Sequence, residues 1–359
     1  MSERKLARVV VIDDVIKHPN ADALDLCTIG GWVVVSQRGL YEPGDLACYF
    51  EIDSWVPTTV APFLSKGKEP KVYEGVQGER LRSIKLRGEL SQGLLIPLHE
   101  LPNGLEIQNE VNRQALESMG GFELDLTETL GVLKWERPMN AQLAGQARGN
   151  FPHFLRKSDQ ERVQNIKRAY TQAVADGEQF NVTYKLDGSS FTAYLKDDDG
   201  EVRTGVCSRN LELKIEGNEG NAFVETFNKY NLDALLREIY AKTGRQLAFQ
   251  GEMCGPGIQG NFEGLDSIQL FVYNVFDIDN QQYLLPGEMR RLCGDWNVDI
   301  VPTFSRRMEL PATIQEILEL ADGESGLNGK YREGLVLKSL TRHFSFKVIS
   351  NRYLIKQGE

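Results

Sequence analysis

The 359-residue chain is long enough for two domains, each with its own core. Its 41% apolar and 26% charged residues are those of a globular protein, and no run nears the ~18 consecutive apolar residues of a membrane-spanning helix. A net charge of −10 excludes a protein that coats nucleic acid through its global field, so any such binding has to use local basic patches.

The N-terminus runs from Met1 directly into the strand-like Val9-Val10-Val11-Ile12 without a signal-type apolar core, so a cytoplasmic protein is expected. From there to about residue 110, short strands are separated by Gly, Pro and Asn turns: Ala7–Asp13, Leu24–Ile29, Trp32–Ser36, Leu46–Ile52, Arg80–Leu86 and Gly93–Pro97. Strands of this length and spacing predict a small OB-like β-barrel. The segment His18-Pro19-Asn20-Ala21-Asp22-Ala23-Leu24-Asp25-Leu26-Cys27 resembles the opening of the tRNA-binding OB modules of some aminoacyl-tRNA synthetases, which supports the barrel. Arg80, Arg82, Lys85 and Arg87 crowd one stretch, and Trp32, Tyr49 and Trp55 are aromatics that could be exposed. Together they form a candidate nucleic-acid surface, although a solvated charged face is the commoner meaning of such a cluster.

Residues 111–150 read as a linker, with a short helix at Arg113–Met119 broken by Gly120-Gly121 and then polar sequence punctuated by Pro138, Gly145 and Gly149. The second domain, 151–359, opens on a predicted helix from Ser158. Ser158 and Glu161 have capping-box spacing there, and Val163, Ile166, Tyr170 and Val174 form a stripe. In that helix Arg162 and Gln164 are either solvated residues or phosphate or base ligands. Further helices are predicted at Ala222–Tyr230, Asp233–Lys242, Gly287–Leu292 and Thr313–Ala321, alternating with strands, so the fold class is α+β.

The chemistry centres on Tyr184-Lys185-Leu186-Asp187-Gly188-Ser189-Ser190. Phe180, Val182 and Tyr184 alternate as a strand with one buried face, which delivers Lys185 at its end before a turn that glycine permits. Period two sends Lys185 and Asp187 to the same side, an amine nucleophile beside a carboxylate that can reach the same phosphates or their metal. Alone, Lys-x-Asp-Gly also describes a surface strand ending in a solvated turn. Downstream come Ser208-Arg209-Asn210, then Phe249-Gln250-Gly251-Glu252-Met253-Cys254-Gly255 with its carboxylate set in an apolar strand. The aromatic strand Phe271-Val272-Tyr273-Asn274-Val275-Phe276-Asp277-Ile278 follows, and last come Glu333-Gly334-Leu335-Val336-Leu337-Lys338 and Phe346-Lys347-Val348-Ile349. The five cysteines include no Cys-x-x-Cys pair, and the four histidines show no metal-ligand spacing, so neither a disulfide framework, a zinc cluster nor histidine chemistry is indicated.

In this order and spacing the stretches resemble the covalent nucleotidyltransferase superfamily of ATP-dependent ligases and mRNA-capping enzymes. Within it the sequence is similar to the Deinococcus-type RNA ligases, which carry an N-terminal OB domain. That likeness extends to Gly44-Asp45-Leu46-Ala47-Cys48-Tyr49-Phe50-Glu51-Ile52-Asp53 and to Ile84-Lys85-Leu86-Arg87-Gly88-Glu89-Leu90-Ser91-Gln92-Gly93-Leu94. DNA ligases and capping enzymes continue into a C-terminal OB domain, whereas twelve residues follow Lys347 here.

The resemblance implies an adenylyltransferase domain of mixed antiparallel sheets with flanking helices, acting on ATP with Mg²⁺ or Mn²⁺. Lys185 would form a lysyl-AMP, Asp187 and Glu333 would hold metal-bound waters, and Arg209 would meet phosphate or ribose. Glu252 would take the ribose hydroxyls, with Tyr184 also at the nucleotide. Phe276 would stack on adenine, Tyr273 being its alternative, and Lys338 and Lys347 would neutralise the α-phosphate. Related ligases often end in Lys-x-Lys, and Ile349 stands where the second lysine is expected. The implied activity is RNA end joining by a monomer on a nicked duplex or RNA-ended strand, as in RNA repair. Capping-type guanylyl transfer and a non-catalytic RNA-binding OB protein are the alternatives.

Overall fold

A computed structural model describes residues 4–117, 124–136, 145–327 and 331–357. The chain divides into one unit of Met1–Pro138 with Leu354–Glu359 and a second of Met139–Tyr353.

In the first unit, Leu46–Phe50 lies between Ala7–Val11 and Leu94–Pro97 in an antiparallel sheet. Asp14–Lys17, Leu24–Ile29 and Trp32–Gln37 form a meander, and Ser54–Pro57 and Val76–Arg80 centre a four-stranded sheet. Val9, Cys48, Phe50 and Ile96 alternate into a shared core with Val56, Leu81 and Leu126. The helix here spans Gly104–Glu117, starting well before the expected Arg113 because Ile107 and Val111 bury one stripe in that core. Residues 118–123 and 137–144 of the expected linker, with Gly120-Gly121 and Pro138 among them, lie outside the described residues. The His18-Pro19-Asn20 segment has a local role: His18 Nε2 donates to the Leu86 carbonyl and Asn20 Nδ2 to that of Arg87, each at 3.0 Å. Both bonds hold the turn of the hairpin Ser83–Leu86/Glu89–Gln92, where Arg87 and Gly88 adopt positive φ of 50° and 98°.

The second unit holds a seven-stranded and a five-stranded sheet. The larger runs Ala147–Asn150, Leu211–Leu213, Glu201–Cys207, Ser189–Asp198, Leu247–Cys254, Gln269–Asp277, Gln282–Tyr283, antiparallel throughout. One face, with Phe191, Ala193, Phe249 and Val275, is covered by helices Ala222–Lys229, Leu232–Thr243 and Pro286–Asp295. In the smaller sheet Gln179–Lys185 lies between Thr303–Glu309 and Gly334–Ser339, and Ser345–Ile349 follows. Phe180, Val182, Leu335, Leu337, Phe346 and Val348 pack there beneath helices Lys167–Ala175 and Ile314–Ala321. Thr313 caps the second of these in a capping box with Glu316.

The helix expected from Ser158 begins instead at Lys167. Glu161–Arg162 pairs in parallel with Phe346–Lys347 as an edge strand, and Ser158 Oγ accepts from Asn274 Nδ2 at 2.6 Å rather than capping. Sheet pairing outweighs the local capping pattern at this point, and Arg162 and Gln164 are buried rather than solvated.

Candidate active site

On the faces opposite the helices, strand alternation sets a group of polar side chains near the end of the Lys185 strand. Thr183 and Lys185 come from the smaller sheet, and Ser190, Thr192, Gln250 and Glu252 from the larger. Lys185 ends its strand opposite Gly334, so Glu333 arrives beside it, and Lys185 Nζ lies 2.6 Å from Glu333 Oε1. Gly334 is required by close approach, since a Cβ there would stand 2.2 Å from the Val348 carbonyl oxygen. Gly188 acts likewise. Its φ is not in the left-handed region, and its need is space, because a Cβ would meet the Met253 carbonyl oxygen at 2.5 Å and Glu252 Cγ at 2.9 Å. The turn after Lys185 therefore lies flat against the Glu252 strand.

Three carboxylates surround the amine. Burial would strip Lys185 of its charge, but Glu333, Glu252 and Asp187 outweigh burial and hold its pKa above the ordinary lysine value. Burial, reinforced by Glu333 and Asp187, pushes Glu252 up to about 8 against the pull of Lys185. Burial likewise raises Glu333, whose Oε2 is buried without a hydrogen-bond partner. The Asp187 backbone N–H donates to Glu263 Oε1 at 3.2 Å, and Ser325 Oγ donates to the other Glu263 oxygen at 3.1 Å. At the rim, Asp159 joins two cations, Arg209 at 3.3 Å and Lys347 at 3.6 Å.

Lys185, Asp187, Glu252 and Glu333 thus come together, with Arg209 and Lys347 beside them. Three expected side chains do not. Phe276 is 0% exposed, its ring edge-on to Tyr283 at 5.1 Å in a core with Leu155, Tyr194 and Ala248, so it cannot stack on a base. Tyr273 lines the cleft instead, its hydroxyl 3.3 Å from Ser190 Oγ. Tyr184 turns its ring from Lys185, as neighbours on a strand must, and packs against Phe304 under the Arg332 guanidinium. Lys338 pairs with Asn181, four residues from Lys185 and so ~13 Å along the strand, where Nζ donates to the Tyr273 carbonyl and Asn274 Oδ1. Burial lowers its pKa to about 7, and its Nζ is engaged by these two acceptors in the cleft wall.

The first unit needs a similar correction. Trp32, Tyr49 and Trp55 are core residues, 0%, 0% and 4% exposed. Arg80 is committed to Asp53 at 2.6 Å and stacks 3.6 Å over the Trp135 ring, whereas Arg82, Lys85 and Arg87 are exposed. Sequence reasoning missed Glu263 and Asp159. A lone acid in the loop Asn261-Phe262-Glu263-Gly264 carries no periodic signal, and Asp159 was hidden in the expected helix start.

An RNA ligase family profile matches residues 178–349, and an OB-fold domain profile matches residues 6–98. A comparison with curated proteins returned no significant match. Among solved structures, a Naegleria gruberi RNA ligase carrying a lysine-to-methionine mutation, with AMP and Mn, superposes with a TM-score of 0.84 at 38% identity over 98% of both chains. A glutamate-to-alanine mutant of the same ligase with ATP and Mn gives 0.83 at 39% identity, and the ligase with PPi gives 0.82 at 39% identity, each over 98% of both chains. With its site on the strand end that the profile spans and its likeness running through both units, the chain belongs to the RNA ligase family.

Proposed function

We propose that this protein joins an RNA 3′-hydroxyl to a 5′-phosphate with ATP, through a lysyl-AMP on Lys185. The observation that carries this reading is the Lys185 amine at 2.6 Å from Glu333, ringed by Glu252 and Asp187 where two sheets bring polar side chains together. In the first step Lys185 Nζ, having lost its proton, forms a bond to the ATP α-phosphorus and pyrophosphate leaves with the electrons of the broken P–O bond. The AMP then passes to the 5′-phosphate, and the 3′-hydroxyl displaces it to form the phosphodiester.

The same carboxylates that hold Lys185 in place also hold its proton. Mg²⁺ and Mn²⁺ fit this site: the unpartnered Glu333 Oε2 and the neighbouring Asp187 suit an ion that keeps most of its hydration shell and takes few carboxylates. Such a cation supplies positive charge that competes with the Lys185 ammonium for these carboxylates. Arg209 and Lys347, released from Asp159, would neutralise charge on the phosphates, and Glu252 would take the ribose hydroxyls. Tyr273, in place of Phe276, would supply the ring beside the base. Arg82, Lys85 and Arg87 of the first unit would bind the RNA backbone.

Incubation with α-labelled ATP or GTP and Mg²⁺ or Mn²⁺, followed by denaturation, tests the reading. Label from ATP on the wild type and none on Lys185→Ala is expected, whereas label from GTP alone would transfer the protein to capping chemistry. A nicked duplex and free single-stranded ends, offered separately with RNA or DNA 3′-termini, decide the substrate. Faster sealing of the RNA-ended nick is expected.

A further inference from the structure

Gln250 is 2% exposed and lines the cleft that also contains Ser190, Thr192, Tyr273 and Arg209. It lies two residues from Glu252 on one strand, so the two side chains share a face about 7 Å apart. That is close to the reach from a ribose hydroxyl to the far edge of a purine. The cross-strand pairs agree: Glu252 stands opposite Ser190, next to Lys185, and Gln250 opposite Thr192 and Asn274, one step deeper.

The Gln250 amide has a fixed orientation. Its Nε2 donates to the Arg156 backbone carbonyl at 2.7 Å, and since a carbonyl can only accept, the amide cannot turn over. Its Oε1 is buried with no hydrogen-bond partner. The neighbouring Asn274 differs, with Oδ1 accepting from Lys338 and Nδ2 donating to Ser158 at 2.6 Å. Beside Asn274, then, stands a buried acceptor awaiting a donor.

We propose that Gln250 Oε1 accepts the exocyclic 6-amino group of adenine and so sets the enzyme's choice of ATP. This deepens the functional reading above and rests on it. Guanine and hypoxanthine carry a carbonyl oxygen at that position, which would place acceptor against acceptor in a buried site that the Arg156 carbonyl prevents from adapting. A site built for a hydrogen bond rejects the analogue that lacks it because its own buried group stays unpaired.

The test is the affinity of AMP relative to IMP, whose bases differ at position 6 and in the proton on N1, measured by calorimetry on the full chain. Wild type and Gln250→Met, which keeps the length and removes the acceptor, are compared. The wild type should prefer AMP by roughly 10- to 100-fold, the cost of a buried acceptor left unmatched. Gln250→Met should bring the two affinities within about 3-fold, mainly through weaker AMP binding. Equal binding of AMP and IMP by the wild type would overturn the proposal. So would an AMP preference that survives in Gln250→Met, or AMP and IMP weakened in equal proportion. Self-labelling of the wild type by α-labelled ATP in parallel separates failure of the base contact from failure of the ligase reading, because labelling persists in the first case and is absent in the second.

Discussion

Glu263 Oε1 accepts a hydrogen bond from the Asp187 backbone N–H at 3.2 Å, across 76 residues of sequence. This bond ties down the turn that follows the Lys185 strand, and Ser325 Oγ on the second oxygen orients the carboxylate that makes it. Glu263 is 1% exposed, and its two carboxylate oxygens are taken by the Asp187 backbone and Ser325, so it positions Asp187.

Glu263→Ala should therefore take this acceptor from the Asp187 N–H and lower stability by about 1–3 kcal/mol. Self-adenylylation should fall by about 10-fold as the turn loosens. Glu263→Gln keeps one acceptor oxygen and should recover most of the rate. Thermal melts and single-turnover labelling read the two effects separately. A stability loss without any rate loss would confine Glu263 to packing.

The electrostatics of Glu252 give a pH-dependent prediction. Its folded pKa of about 8 lies above its ordinary value of 4.5, so between these the native state holds a proton that the unfolded chain has released. Stability then falls as pH rises through this window, and Glu252→Gln should flatten that slope. Melting temperatures from pH 5 to 9 for both proteins check it. Because Glu252 also helps hold the Lys185 proton, the rising limb of the labelling rate should move to lower pH in the same variant. A Glu252→Gln melting profile parallel to the wild type would place the charge elsewhere.

Glu333 offers a contrast between two roles, partner of Lys185 and holder of a hydrated cation through its unpartnered oxygen. Glu333→Ala removes both and should cost on the order of 100-fold in labelling rate. Glu333→Asp keeps a carboxylate and should lose less, with a raised divalent-cation requirement. Folding of each variant is checked by melting. Near wild-type labelling by both would reduce Glu333 to a structural ion pair.

Much of this site is legible in the sequence because strand period and covalent neighbourhood dictate it. Lys185 must end its strand, and Glu333 must arrive beside it once Gly334 pairs with Lys185. What the sequence hides is the register. Gln250 pairs with Asn274 but Gly251 with Val272, so Tyr273 is an extra residue in a β-bulge. Simple alternation along Phe271–Asp277 cannot show which aromatic faces the cleft, and it is the bulge that brings Tyr273 there while Phe276 stays in the core. Lys338 and Lys347 look alike in sequence, but only the second stands with Arg209 around Asp159. Trp32, Tyr49 and Trp55 fill an interior whose curvature no short window of sequence reports.

The cluster Arg80, Arg82, Lys85 and Arg87 splits on the same grounds, and the split can be measured. Arg80 is mostly enclosed, bonded to Asp53 and stacked on Trp135, so Arg80→Ala should lower stability by about 1.5–3 kcal/mol, the range of a hydrogen bond to a charged group. Arg82, Lys85 and Arg87 stand in solvent on or beside the hairpin Ser83–Gln92, and exposed charges of this kind contribute little to folding. Their joint replacement by Ala should leave the melting temperature and self-adenylylation unchanged. Binding to nicked RNA should weaken, and its logarithmic salt dependence should flatten by roughly 0.7–0.9 for each phosphate that is no longer neutralised. Filter binding at several salt concentrations, alongside melting and labelling of the same preparation, measures all of these quantities. Unchanged RNA affinity and salt slope in the triple variant would remove this hairpin from the RNA surface, and loss of self-labelling in parallel with binding would mean that the replacements had damaged the fold.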